Sequence, residues 1–111
     1  MAEMNKETEQ KINQLQLFEQ SMQTILSQKQ QFQMQLVEVE SALNELGKTD
    51  EAYKIVGNIM VASDKKDLIA DLKSKKEIVD LRLKTLEKQE NQIREKAEKL
   101  QSEVLKKIKN E

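Results

Sequence analysis

The sequence predicts a chain dominated by α-helix: a long antiparallel two-helix coiled coil joined by a single β-hairpin. Three observations predict this. Apolar residues recur at alternating steps of three and four in both halves of the 111 residues, the repeat of a coiled-coil seam. One stretch, YKIVGNIMVA from Tyr53 to Ala62, reads as strand instead. The two seams are mirror images about Gly57-Asn58 inside that stretch. Composition agrees, with 35% charged residues, 3% aromatics, no Trp and no Pro. Such a chain suits long helices more than a globular core, and without Pro nothing removes a backbone donor or clashes with the preceding turn.

The first helix is expected over about residues 5–47. Asn5 is a good cap, and Glu7 and Glu9 put negative charge in the first turn. The seam then runs Leu15, Phe18, Met22, Ile25, Lys29, Phe32, Leu36, Val39, Leu43, Leu46, polar only at Lys29. Between these positions lie many glutamines, among them Gln14, Gln20, Gln28, Gln31 and Gln35. They make a wet, uncharged helical flank, since the sustained heptad argues against low complexity. Gly47 supplies a stop, followed by a turn at Lys48-Thr49-Asp50.

The hairpin is expected over about residues 52–62. Gly first in a two-residue turn supplies the positive φ of a primed turn, which sets Val56 against Ile59, Ile55 against Met60 and Tyr53 against Ala62. Tyr53, Ile55, Met60 and Ala62 then share one face, and Val56, Ile59 and Val61 the other. A lone hairpin is marginal in water and both of its edges are open. Either it folds back on its own helices or other chains complete the sheet. The residues expected to carry subunit assembly are therefore Tyr53, Ile55, Val56, Gly57, Asn58, Ile59, Met60 and Val61.

The second helix is expected over about residues 64–109, capped by Ser63 or Asp64, with Asp67 near its start. Its seam reads Ile69, Leu72, Lys76, Val79, Leu83, Leu86, Glu90, Ile93, Ala97, Leu100, Val104. Reflection of the first seam about the turn, with paired numbers summing to 115, brings each of its positions onto a position of the second. Phe18 then meets small Ala97, and Lys29 lies one layer from Glu90, close enough to pair. Polar seam residues of this kind cost stability and can set register, although a slip of one heptad would keep the pattern. Each helix of roughly 40 residues would be about 60 Å long at 1.5 Å per residue. Lys106, Lys107 and Lys109 suit the negative end of the helix dipole, or alternatively a polybasic anchor.

Chemistry is scarce. There is no His, no Cys, no Gly-rich phosphate loop and no nucleophile motif, so no catalytic residue, metal site or cofactor is expected and the chain is read as a non-enzyme. No apolar run approaches the roughly 20 residues of a bilayer span, and the polar start MAEMNKETEQ lacks a signal-peptide core. The expectation is a soluble, cytoplasmic protein of one domain without membrane contact. Net charge is −1, split unevenly: residues 1–62 hold 5 Lys+Arg against 9 Asp+Glu, and residues 63–111 hold 14 against 11. That asymmetry serves pairing between the helices; the alternative is a basic stripe for RNA, which the interspersed acids weaken. Apolar side chains are in excess near the chain ends, where Ile12, Leu17, Leu105 and Ile108 supplement Leu15, Phe18, Leu100 and Val104. They either broaden the coiled-coil contact or form a patch that binds partners.

The layout of long helix, hairpin and long helix, with YKxxGNIxV at the turn (Tyr53, Lys54, Gly57, Asn58, Ile59, Val61), resembles the β-type subunit of archaeal prefoldin. ALNEL at residues 42–46 and LRLKTLEKQE at residues 81–90 add to the likeness, which covers almost the whole chain. The resemblance implies an ATP-independent molecular chaperone, and the net charge of −1 does not suggest a nucleic-acid partner. It implies a hexamer of two α-type and four β-type subunits, in which the hairpin contributes to an intersubunit β-barrel. It implies that the coiled-coil tips hold unfolded client proteins and deliver them to a group II chaperonin. Ile12, Leu15, Leu17, Phe18, Leu100, Val104, Leu105 and Ile108 would then be the client-binding tip residues. The alternatives are a coiled-coil scaffold without clients and an RNA-binding helical arm.

Overall fold

A computed structural model describes residues 5–110. Four elements follow in order: α1 (Lys6–Leu46), β1 (Ala52–Val56), β2 (Ile59–Ser63) and α2 (Lys65–Asn110). The hairpin thus runs one residue further than expected, and α2 starts one residue later. The described chain divides into two compact units. One spans residues 30–84 and holds the hairpin; the other joins residues 5–29 to residues 85–110.

Local chemistry sets the element ends. The Thr8 N–H donates to Asn5 Oδ1 at 2.8 Å and the Glu9 N–H to the Asn5 carbonyl at 3.1 Å, so Asn5 caps α1. At α2 the cap is Asp64: its Oδ1 accepts the Lys66 N–H at 2.9 Å and its carbonyl the Leu68 N–H at 3.0 Å. Ser63 is unavailable for that role because it closes the sheet opposite Ala52. The end of α1 differs from a left-handed glycine cap. The Gly47 N–H still reaches the Leu43 carbonyl at 3.2 Å, and the Lys48 N–H reaches Glu45 at 3.0 Å in a tightened last turn. Among the described residues, Gly57 alone has positive φ.

Within residues 30–84, Val39, Leu46 and Val79 are buried between the helix segments, with Phe32, Leu36, Leu43, Ile69, Leu72 and Leu83 half-buried. The Arg82 guanidinium lies 5.7 Å from the centre of the Phe32 ring, within cation–π range. Lys76 Nζ lies 3.5 Å from Glu40 Oε1. In the other unit, Ile25, Leu86 and Val104 are buried, and Leu15, Phe18, Met22, Ile93, Ala97 and Leu100 half-buried.

Every position of the two expected seams is therefore withdrawn from solvent in whole or part. The segments are antiparallel in both units. Glu7 pairs with Lys107 and Lys11 with Glu103, while Phe32 meets Arg82 and Glu40 meets Lys76. The numbers of each pair sum to within one of 115, the mirrored register.

Candidate assembly hairpin and apolar helix ends

The hairpin register is Tyr53↔Ala62, Lys54↔Val61, Ile55↔Met60 and Val56↔Ile59, as the Gly57-Asn58 turn requires. Gly57 has φ +61° with open space where a Cβ would stand, so it is the backbone that demands glycine, not crowding. Positive φ at the first turn residue alone is the pattern of a type II′ turn, whose twist matches that of the strands. Only the base of the hairpin is covered: Ala52 is buried and Ser63 half-buried. Beyond them both faces stand in solvent, with Ile55 71%, Met60 66% and Ile59 65% exposed. The hairpin does not fold back onto its own helices. Tyr53 turns its hydroxyl to Glu51 Oε2 at a long 3.5 Å and leaves its ring exposed.

Five exposed large apolar side chains, Ile55, Val56, Ile59, Met60 and Val61, interrupted only by the turn, are an unusual surface for water. Neither face alone would do for a soluble two-stranded sheet, which needs at least one polar side. The β1 and β2 edges also keep a row of unpaired backbone donors and acceptors.

The eight apolar residues near the chain ends separate into two groups. Val104 is buried, and Ile12, Leu15, Phe18 and Leu100 are half-buried along the seam. Leu17, Leu105 and Ile108 point outward, 60%, 56% and 49% exposed. They do not form one continuous patch: Leu17 lines a shallow groove with Ser21 and Gln89, whereas Leu105 lines another with Ser102 and Lys109. Phe18 keeps an accessible edge in a third, with Leu100 and Lys96.

Charge fastens this unit from its rim. Glu7 Oε2 lies 3.3 Å from Lys107 Nζ, and Lys11 Nζ lies 3.3 Å from Glu103 Oε2. The bond from Lys107, helped by its charge and that of Lys11, holds the Glu7 carboxyl below its ordinary value. Deeper in the seam, Glu90 is flanked by two cations: Lys29 Nζ at 3.3 Å from Oε2 and Arg94 Nη2 at 3.2 Å from Oε1.

The seam also extends further than the apolar pattern implied. Thr8 and Lys11, which continue the repeat backward from Leu15, are buried and half-buried. Thr8 Oγ1 has no hydrogen-bond partner among the described residues. The only signal for them was the heptad step itself, because both are polar. Among the described residues no helix is long and apolar enough to cross a membrane, and no cluster of His, Cys, Asp or Glu has the makings of a metal site.

Comparison with known proteins agrees with this geometry. The prefoldin subunit family profile matches residues 9–111. The chain is 38% identical over 107 residues to the prefoldin subunit beta of Methanospirillum hungatei, covering 94% of this chain and 89% of that relative. It is 39% identical over 99 residues to the prefoldin subunit beta of Archaeoglobus fulgidus, covering 86% and 85%. The crystal structure of the prefoldin beta subunit from Thermococcus strain KS-1 superposes with TM-score 0.85 at 33% identity, over 94% of both chains.

Proposed function

Because this chain belongs to the prefoldin subunit family, a family of chaperones, we propose that it is one subunit of an ATP-independent holdase. Its hairpin joins hairpins of other prefoldin subunits, with an α-type companion in a hexamer of two α and four β chains, and the strands close into a barrel. The helix ends bearing the chain termini capture unfolded proteins and pass them to a group II chaperonin. The reading is of a non-enzymatic protein that works in the cytoplasm.

The observation that carries this is the split in apolar surface. The hairpin presents exposed apolar residues on both faces that call for a lasting partner. The ends present Leu17, Leu105 and Ile108 outside a seam of half-buried Leu15, Phe18 and Leu100. One such side chain contributes about 1 kcal/mol or less when partly covered, and several chains acting together supply avidity without a rigid fit.

The test uses the chain assembled with an α-type subunit and a chemically unfolded protein diluted into it without nucleotide, followed by light scattering. Suppression of aggregation is expected. Replacing Leu17, Leu105 and Ile108 by Ser should weaken it severalfold while assembly and unfolding midpoint stay unchanged, because these side chains add little to the fold. Full holdase activity in that triple variant refutes client capture at these residues. Absence of suppression by the wild-type assembly refutes the function.

A further inference from the structure

The two edges of the hairpin are chemically unlike. Lys54 stands at the midpoint of β1 (Ala52–Val56), while β2 (Ile59–Ser63) carries no charge and has Val61 at its midpoint. Lys54 is exposed, and among the described residues no carboxylate pairs with it. We infer that Lys54 reserves the β1 edge for a companion strand that places a carboxylate opposite it, and bars that edge to a second copy of this chain. The inference rests on the assembly reading above and adds to it which edge takes which partner.

Geometry makes the argument. In a hairpin with a two-residue turn, the residues flanking the turn form a hydrogen-bonded pair and the pattern then alternates. With Val56↔Ile59 in that position, Lys54↔Val61 is also bonded inward, and the outward backbone groups belong to Tyr53 and Ile55 on β1.

A second copy docking on this edge with full overlap about a twofold axis must bond Tyr53 to the other copy's Ile55. Lys54 then falls opposite Lys54 in a non-hydrogen-bonded pair, where Cα atoms approach to about 4.5 Å and side chains are nearest. Like charges in that position oppose pairing. The same operation on β2 puts Val61 against Val61, a β-branched pair that favours it. An acidic side chain on a foreign strand turns the β1 repulsion into attraction.

A lone lysine on an edge can also be a plain guard against aggregation. Here it would guard one edge of two and leave both apolar faces bare, so selection between partners accounts for more of the surface.

Sedimentation and native mass spectrometry at low salt, on chains distinguished by a mass tag, test this. Lys54→Met should self-associate about tenfold more tightly than wild type. An equimolar mixture of Lys54→Glu with wild type should form mixed species tighter than either alone, and 0.5 M salt should remove that gain. With an α-type subunit present, Lys54→Glu should lose assembly that wild type shows. Unchanged self-association of Lys54→Met together with no gain in the mixture overturns the inference, as does unimpaired α-type assembly of Lys54→Glu. If wild type itself ignores the α-type subunit while the first two results hold, the assembly reading fails and the edge selectivity stands. Circular dichroism of each variant checks that the helices remain.

Discussion

Lys29→Met exposes how much the seam depends on the well-covered Lys29–Glu90 ion pair. The Lys29 and Glu90 side chains retain 17% and 11% of their accessible surface, so the pair lies between two regimes. Breaking a fully buried pair costs about 3–5 kcal/mol because a charge is stranded, and breaking an exposed one about 0.2–1 kcal/mol. Arg94 still holds Glu90 Oε1 after Lys29 is lost, which places the expected cost at about 1–2 kcal/mol. With a urea slope of about 1–3 kcal/mol/M, the midpoint should fall by roughly 0.5–1 M, read from helical circular dichroism.

Glu90→Leu should be nearly neutral, since an apolar residue then fills a seam position and the freed ammonium can reach water along its stem. The double variant should recover most of the loss in Lys29→Met, giving a coupling of about 1–2 kcal/mol in the cycle. The same double variant removes the polar layer that resists a one-heptad slip. Spin labels at exposed positions 16 and 101 should then report a second distance, because the slip moves one helix along the other by the roughly 10 Å that seven residues span. A Lys29→Met midpoint identical to wild type, or additive single costs, refutes the coupling. A single narrow distance in the double variant refutes the role in register.

Three other outcomes follow from the geometry. Gly57→Ala should cost about 1–2 kcal/mol, because an L-residue is strained at φ +61°, whereas Gly47→Ala should be neutral or slightly stabilising, since Gly47 is not left-handed; thermal unfolding of both compares them. Glu7 titrates below its ordinary value through Lys107 and Lys11, so its contribution is present above the unfolded carboxylate pKa and is lost as pH falls through the lower folded value. Carboxyl NMR should show Lys107→Met raising that titration toward normal. Deleting residues 55–59 should leave monomers or dimers by light scattering even with an α-type subunit, since both sheet edges go with them.

What was legible in the sequence follows physical repetition. The seam from Leu15 to Leu46 and from Ile69 to Val104 could be read because burial on a helix recurs every three and four residues, and the structure withdraws each of those positions from solvent. The hairpin register was legible because Gly57 permits few turns. Single contests between neighbours were not. Whether Ser63 or Asp64 caps α2 depends on where the last strand pair closes, and that pairing takes Ser63. Gly47 ends α1 without the left-handed conformation its type invites, because a tightened turn at Lys48 already satisfies a carbonyl. Thr8 and Lys11 were invisible as seam residues because polarity masks the repeat.

The same physics explains why the two apolar surfaces are built differently. A β-strand face has no partner within the strand, so Ile55, Ile59 and Met60 are left with about two thirds or more of each wet until the proposed assembly covers them. A helix end already has a neighbour. Phe18 and Leu100 sit half inside their seam, and the Lys11–Glu103 and Glu7–Lys107 pairs beyond them are partly solvated and hold weakly. A surface of the first kind binds once and stays bound, because leaving re-exposes everything. A surface of the second kind can exchange its own seam contacts for a visitor's at little net difference, and can exchange them back. On the function proposed above, a subunit that remains in an assembly while holding clients briefly needs both kinds on one chain. The sequence places one at its middle and the other at its two ends.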